Sequence, residues 1–187
     1  MRWTGIAFVL LLSCSKKKPE LPASEPLGKG EYALEKLKVQ GGREILSETG
    51  VRYTVPEGWT GGDELPLPWG LRADFKSPSK EAWAQFEQHT SVSDPEKCLD
   101  SAINMDKRSG AQITVHDRRV EDGGVTADYT KVWKGRTTRE LFRSVRRGNQ
   151  AFSITFACEA DRWPAHESTF RAHAAKFDRV AGSGKGP

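Results

Sequence analysis

Residues 136–159, RTTRELFRSVRRGNQAFSITFACE, read as two long strands folded about a Gly148-Asn149 turn. In the second strand Phe152, Ile154, Phe156 and Cys158 alternate with Ser153, Thr155 and Ala157. Successive side chains on a strand point to opposite faces, so the first set is expected inward and the second outward. Turn residues between two such runs mark a β-hairpin. A hairpin with one apolar face needs neighbouring strands and a covering layer, which confines the chain to sheet-based architectures.

The same period recurs upstream. Val51, Tyr53 and Val55 share a face opposite Arg52 and Thr54, and Leu71, Ala73 and Phe75 oppose Arg72, Asp74 and Lys76. Further strands are expected at 111–119 and 124–134, on either side of the turn EDGG. The stretch KEAWAQFEQHTSV suits either period, since Ala82, Trp83 and Phe86 also fit a helix; its position before a capped helix favours a strand. Two segments have helical period. Ser93, Asp94, Pro95 and Glu96 supply a cap, a first-turn proline and a capping-box glutamate. Cys98, Leu99, Ala102, Ile103 and Met105 then lie mainly on one side until Gly110. A last helix near 163–178 puts Trp163, Phe170, Ala174 and Phe177 on one face. The fold class is therefore α+β, a mainly antiparallel sheet with packed helices.

The phrase YTVPEGW at 53–59 is a strand broken by Pro56 and a Gly58-Trp59 turn, and the chain closes with the strand and helix AFSITFACEADRWPAHESTFRAHAAKFDRV. In its order of elements over residues 43–180 the chain resembles the PsbP-like sandwich of photosystem accessory proteins and DcrB-type bacterial lipoproteins. The resemblance implies an α/β/α sandwich and brings no catalytic residue to carry over. Fold alone does not fix function.

The opening MRWTGIAFVLLLSC places one positive residue, Arg2, before an apolar run from Gly5 to Leu12. That run is far shorter than the roughly 20 residues that span a bilayer, and its layout is that of a secretory signal peptide. Leu11, Leu12 and Ser13 before Cys14 resemble the bacterial lipobox, which implies a thioether lipid on Cys14 and cleavage before it. An ordinary signal peptide that happens to contain a cysteine is the alternative. Lipid on Cys14 would contribute about 0.8 kcal/mol per buried methylene and anchor the chain in a membrane. Ser15 in place of an aspartate implies outer-membrane sorting. Lys16, Lys17 and Lys18 either lie against anionic headgroups or open a solvated linker. The expected layout is a signal peptide at 1–13, the lipidated cysteine and a proline-containing linker at 14–30, a single PsbP-like domain at 31–180 and a flexible tail at 181–187. The expected location is the cell envelope, at the outer membrane, facing the periplasm or the cell surface.

Export changes the meaning of the other cysteines. Cys98 and Cys158 form an even pair in an oxidising compartment, and a disulfide between them would close a 60-residue loop worth about 4 kcal/mol. The alternative is two buried thiols. The net charge of +4 comes mainly from the N-terminus; residues 31–187 carry only +1, which argues against nucleic acid as a partner.

Chemistry is harder to find. His89, His116, His166 and His173 include no pair at i, i+4, and all four are expected at the surface. His166 and His173 would stand about 10.5 Å apart along a helix axis, too far to share a zinc. No GxSxG elbow or CxxC motif is present, and the tail GSGKG lacks the spacing of a phosphate loop. No cofactor, metal or catalytic residue is expected, although a Ser-His-Asp set assembled from distant positions is recognised by geometry and not by sequence.

One cluster stands out. Residues 131–148 carry Lys131, Lys134, Arg136, Arg139, Arg143, Arg146 and Arg147 against a single acid, Glu140. On adjacent strands, alternate members would form a cationic stripe beside Trp133. It would suit lipopolysaccharide or phospholipid headgroups, an anionic cell-wall polymer or an acidic protein. The alternative is a solvated sheet face whose long side chains cover apolar neighbours. The chain is accordingly expected to be a non-enzymatic, membrane-anchored accessory or interaction module of the envelope. A small-ligand carrier or hydrolase with a pocket between sheet and helices is the competing reading.

Overall fold

The period-two segments all become strands. The computed structural model describes residues 44–46, 51–121 and 123–177, which belong to one compact unit, Lys36–Pro187. In chain order the elements are β1 (Glu44–Leu46), β2 (Arg52–Thr54), β3 (Thr60–Leu67), β4 (Gly70–Lys76) and β5 (Ala82–His89). Then come α1 (Pro95–Arg108), β6 (Gln112–Glu121), β7 (Gly124–Trp133), β8 (Arg136–Arg147) and β9 (Gln150–Glu159). A 3-10 turn, Ala160–Arg162, leads into α2 (Trp163–Ala174). Cys14, the linker and the tail lie outside the described residues. Among the described residues no helix is long and apolar enough to cross a membrane.

The β8–β9 hairpin is internal to a seven-stranded antiparallel sheet of order β3-β4-β5-β9-β8-β7-β6. The ambiguous stretch at 82–89 becomes β5, the strand that joins the two halves by pairing with both β4 and β9. At the β3 edge a bulge lies between Gly61 and Glu64, and Gly61 approaches its neighbour so closely that a Cβ there would stand 2.1 Å from the Asp74 carbonyl oxygen. Only glycine fits.

Alternation along the central strands feeds two separate cores. On one face Leu141, Val145, Phe152, Ile154, Phe156 and Cys158 pack with Trp163, Phe170, Ala174 and Phe177 of α2 and the turn after it. The β1–β2 hairpin joins this core, with the Tyr53 ring stacked 4.4 Å from that of Phe86. On the opposite face Val125, Ala127, Tyr129, Phe142 and Ala151 pack with Cys98, Leu99 and Ile103 of α1. The result is a sandwich with one helix on each side of the sheet. Ser153 and Ala157, expected outward, are therefore buried, because α1 covers the face they occupy. Thr155 on that face is half-buried.

The helix signals hold with one displacement. Asp94, not Ser93, is the N-cap, accepting from the backbone N–H of Glu96 and Lys97, with Pro95 in the first turn. Glu96 is thus one position too early for a capping box, and its carboxylate instead accepts from Arg118 of β6 at 3.0 Å. Met105, expected on the packed side, is 62% exposed. At the far end of the chain α2 stops at Ala174, and a turn brings Phe177 back into the core.

Candidate functional site

The cationic run does not form a stripe. Strand alternation sends Arg139 and Arg143 to the α2 face with Leu141 and Val145, and Arg136 and Arg146 to the α1 face with Glu140 and Phe142. Most members of the run are also committed to internal partners.

On the α2 face the hub is Asp128, whose side chain is 3% exposed. Its carboxylate accepts two hydrogen bonds from Arg139, at 2.5 and 3.0 Å, and one from Arg171 of α2 at 2.8 Å. Arg139 also lies over the Trp163 ring, 5.2 Å from its centroid, and Arg171 bonds Glu167 one helical turn away. The cluster fastens α2 to the sheet. Asp128→Ala leaves two guanidinium groups that keep 24% and 40% of their side-chain surface in water, so they recover part of the lost solvation. A loss of about 2 kcal/mol is expected, below the cost of breaking a fully buried pair, and urea unfolding measures it.

On the α1 face the hub is Glu140. It accepts from Lys131 at 2.8 Å, from the Tyr129 hydroxyl at 3.0 Å and from Thr138 at 3.1 Å. Lys131 in turn reaches Asp106 of α1 at 3.3 Å. Burial opposes the Lys131 charge, but Glu140 and Asp106 outweigh it and raise its pKa. Burial first, and Glu140 second, push the Tyr129 hydroxyl well above its usual range. Toward the ends of the run, Arg143 bonds Glu121 and Thr126, Arg136 pairs with Glu159, and Arg146 donates to the Gly148 carbonyl. Arg147 sits opposite Gln150 at the hairpin end. Lys134 lies in the β7–β8 turn, over the Trp133 ring.

The disulfide expectation is corrected. Cys98 and Cys158 are free and buried. Cys98, on α1, lies against Ser144 and Ser153, whereas Cys158 belongs to the core under α2. The sheet stands between the two thiols, and a disulfide needs Cα atoms within about 7 Å. Burial raises the Cys98 pKa to about 12 and that of Cys158 to about 11, which makes both thiols poor nucleophiles.

Two histidines are also not at the surface. A 2.7 Å hydrogen bond joins His173 Nδ1 of α2 and the Thr54 hydroxyl, and one of 3.0 Å joins His89 Nε2 of β5 and the Ser153 hydroxyl. Burial lowers both pKa values below 6.5, with Lys176 adding to the effect at His173. Below pH 6.5 the unfolded chain therefore takes up protons that the native state refuses. Stability is expected to fall as pH drops through this value, by at most about 1.4 kcal/mol per pH unit for each histidine. Urea midpoints at pH 7.5 and 5.5 measure the slope, which His89→Gln and His173→Gln should flatten.

His89, Ser153 and Glu87 form a serine-histidine-acid set assembled from distant positions, but its geometry is wrong for a catalytic triad. Glu87 Oε2 is 3.8 Å from the same Nε2 that meets the serine, and among the described residues no acid holds the other ring nitrogen. Ser153 is 1% exposed in the middle of β9, where the backbone donors that an oxyanion would need serve the sheet. An open cleft of about 390 Å³ beside the start of α1 is lined by Ser91, Val92, Ser93, Asp94, Lys97 and Asp100, among others. It is an open surface hollow at the start of α1 and does not lie between the sheet and the helices, where a carrier pocket is expected. Among the described residues no three His, Cys, Asp or Glu side chains are placed to hold a metal ion.

The layering of two helices on opposite faces of this antiparallel sheet matches a known architecture. The solution structure of cyanobacterial PsbP, CyanoP, from Synechocystis sp. PCC 6803 superposes with a TM-score of 0.57 at 16% identity, covering 74% of this chain and 92% of that one. The domain has a PsbP-like fold. Two further structures overlap less well. PA94 from Pseudomonas aeruginosa gives a TM-score of 0.43 at 16% identity, covering 70% and 91% of the two chains. LpqN of Mycobacterium tuberculosis, described as involved in cell envelope biogenesis, gives 0.37 at 14% identity, covering 70% and 80%. The fold assignment rests on CyanoP alone. No protein family and no curated protein matches the sequence.

Asp128, the hub of the α2-face cluster, has no clear signal in the sequence. Glu140 carried a signal, as the lone acid within the basic run. Asp128 had only its place in ADYT, at the position that points away from Ala127 and Tyr129.

Proposed function

We propose that this chain is a lipid-anchored envelope protein that presents its PsbP-like domain as a non-enzymatic accessory module. The observation that carries the reading is the lipobox-like Leu11-Leu12-Ser13-Cys14 after a short apolar run. The lipid on Cys14 holds the chain at a membrane, most simply the outer one, and the linker at 15–30 gives the domain a reach of roughly 50 Å when extended. The domain supports the non-enzymatic half of the reading, because its buried acids, hydroxyls and thiols serve packing and helix attachment.

Metabolic labelling with an alkyne-tagged fatty acid in a bacterial host tests the anchor. The expected result is label on the wild-type chain and none on Cys14→Ala; label that survives this substitution defeats the proposal. The hydrolase alternative is tested separately with a fluorophosphonate probe. No adduct is expected at Ser153, and a Ser153 adduct that disappears in His89→Gln would establish the alternative instead.

A further inference from the structure

The two-residue turn Lys134-Gly135 joins β7 to β8, with Trp133 and Arg136 paired across it. Both turn residues have positive φ, 51° and 76°, the backbone that a tight hairpin of this twist demands. Asparagine or glycine adopts it readily, and lysine does so under strain. The strained residue holds its ammonium 4.3 Å from the centroid of the Trp133 ring. Trp133 is 40% exposed, and its indole N–H donates to the Ser109 carbonyl just past the end of α1. Ser109 in turn bonds the carbonyl of Met105, the most exposed large apolar side chain described. Lys107 and Arg108 of the last helical turn are exposed.

Lys107, Arg108 and Lys134 have no carboxylate partner among the described residues, whereas Lys131, Arg136, Arg139 and Arg143 nearby all have one. Cations in the last turn of a helix are ordinary, since they complement its dipole. An exposed indole tied to the helix end through Ser109, with a lysine strained over its ring, is not. Aromatic rings seat at the level of lipid headgroups, and cations gain from phosphate there. We propose that the C-terminal end of α1 and the β7–β8 turn form a contact surface for an anionic phospholipid bilayer. Met105 and Trp133 enter the headgroup layer while Lys107, Arg108 and Lys134 meet phosphates. This deepens the lipid-anchored reading and rests on it for bringing the domain to a membrane, but the patch chemistry is tested without the anchor.

The test uses the whole chain carrying Cys14→Ser and Met105→Cys, labelled at residue 105 with an environment-sensitive dye. Cys98 and Cys158 are buried and escape labelling. With vesicles of phosphatidylglycerol and phosphatidylcholine the dye emission is expected to shift to the blue. Phosphatidylcholine alone should give no shift, and 1 M salt, where the screening length is about 3 Å, should abolish it. Adding Lys134→Glu is expected to lower the partition coefficient roughly thirtyfold. Lys134→Gly, which relieves the turn, should raise the urea midpoint yet bind roughly fivefold more weakly. An unshifted dye on vesicles that nonetheless carry the chain down, or equal binding by Lys134→Gly and wild type, overturns the proposal. Either result leaves Cys14 lipidation untouched, because fatty-acid labelling reads that independently.

Discussion

Glu140→Ala is expected to destabilise the domain by about 3–5 kcal/mol, enough to unfold a marginally stable domain of this size at body temperature. The side chain is 6% exposed and accepts three hydrogen bonds inside the α1 face. Its removal strands the Lys131 ammonium with only Asp106 at 3.3 Å and leaves the buried Tyr129 hydroxyl without its acceptor. Glu140→Gln keeps the shape and one acceptor oxygen and should cost less, about 1–2 kcal/mol. Replacing the pair together, Glu140→Leu with Lys131→Met, should recover much of the loss, because the penalty comes from a partner left behind and not from the absence of charge. Guanidinium unfolding of the four proteins measures all of these differences. If Glu140→Ala lost less than about 1 kcal/mol, the clamp would not be what holds α1 to the sheet.

The clamps also explain which parts of the fold were legible. Strand positions followed from period two, and both helices from spacing and caps, because these signals are local. The alternation Phe152, Ser153, Ile154 says that two faces exist, yet a small polar residue looks the same under a helix as under water. Ser153 turned out to be buried because α1 lies over it and His89 satisfies its hydroxyl. Cys158 and Cys98 looked like a pair because the sequence shows an even number and an expected export signal, but not that one rides on the strand's α2 face and the other on the opposite helix. The basic run forms no continuous stripe for a similar reason. Asp106, Glu121 and Asp128, which neutralise much of it, lie upstream and meet it only through strand register and helix placement. Two members of the run meet no carboxylate among the described residues: Arg146, which bonds the Gly148 carbonyl, and Lys134, which the tight turn holds over the Trp133 ring.

Phe156→Ala is expected to cost about 3–5 kcal/mol on the other face of the sheet. Phe156 is fully buried, with its ring stacked 5.4 Å from Phe170 of α2 and edge-on to Trp59 at 6.4 Å. The cavity cannot close easily, since Phe156 stands on an inner strand paired on both sides, opposite Ala84 and Leu141. Because this core is separated from the α1 core by the sheet, the two large substitutions should loosen different helices before global unfolding. Hydrogen exchange in Phe156→Ala should rise first in α2, and in Glu140→Gln first in α1. The membrane patch sits at the end of α1 and on the β7–β8 turn, so vesicle binding should survive in folded Phe156→Ala at temperatures well below its midpoint. In Glu140→Gln it should weaken, because Trp133 is held against Ser109, one residue beyond the helix that Glu140 and Lys131 fasten to the sheet. Equal loss of binding in both proteins would mean that the patch depends on the stability of the whole domain and not on the placement of α1.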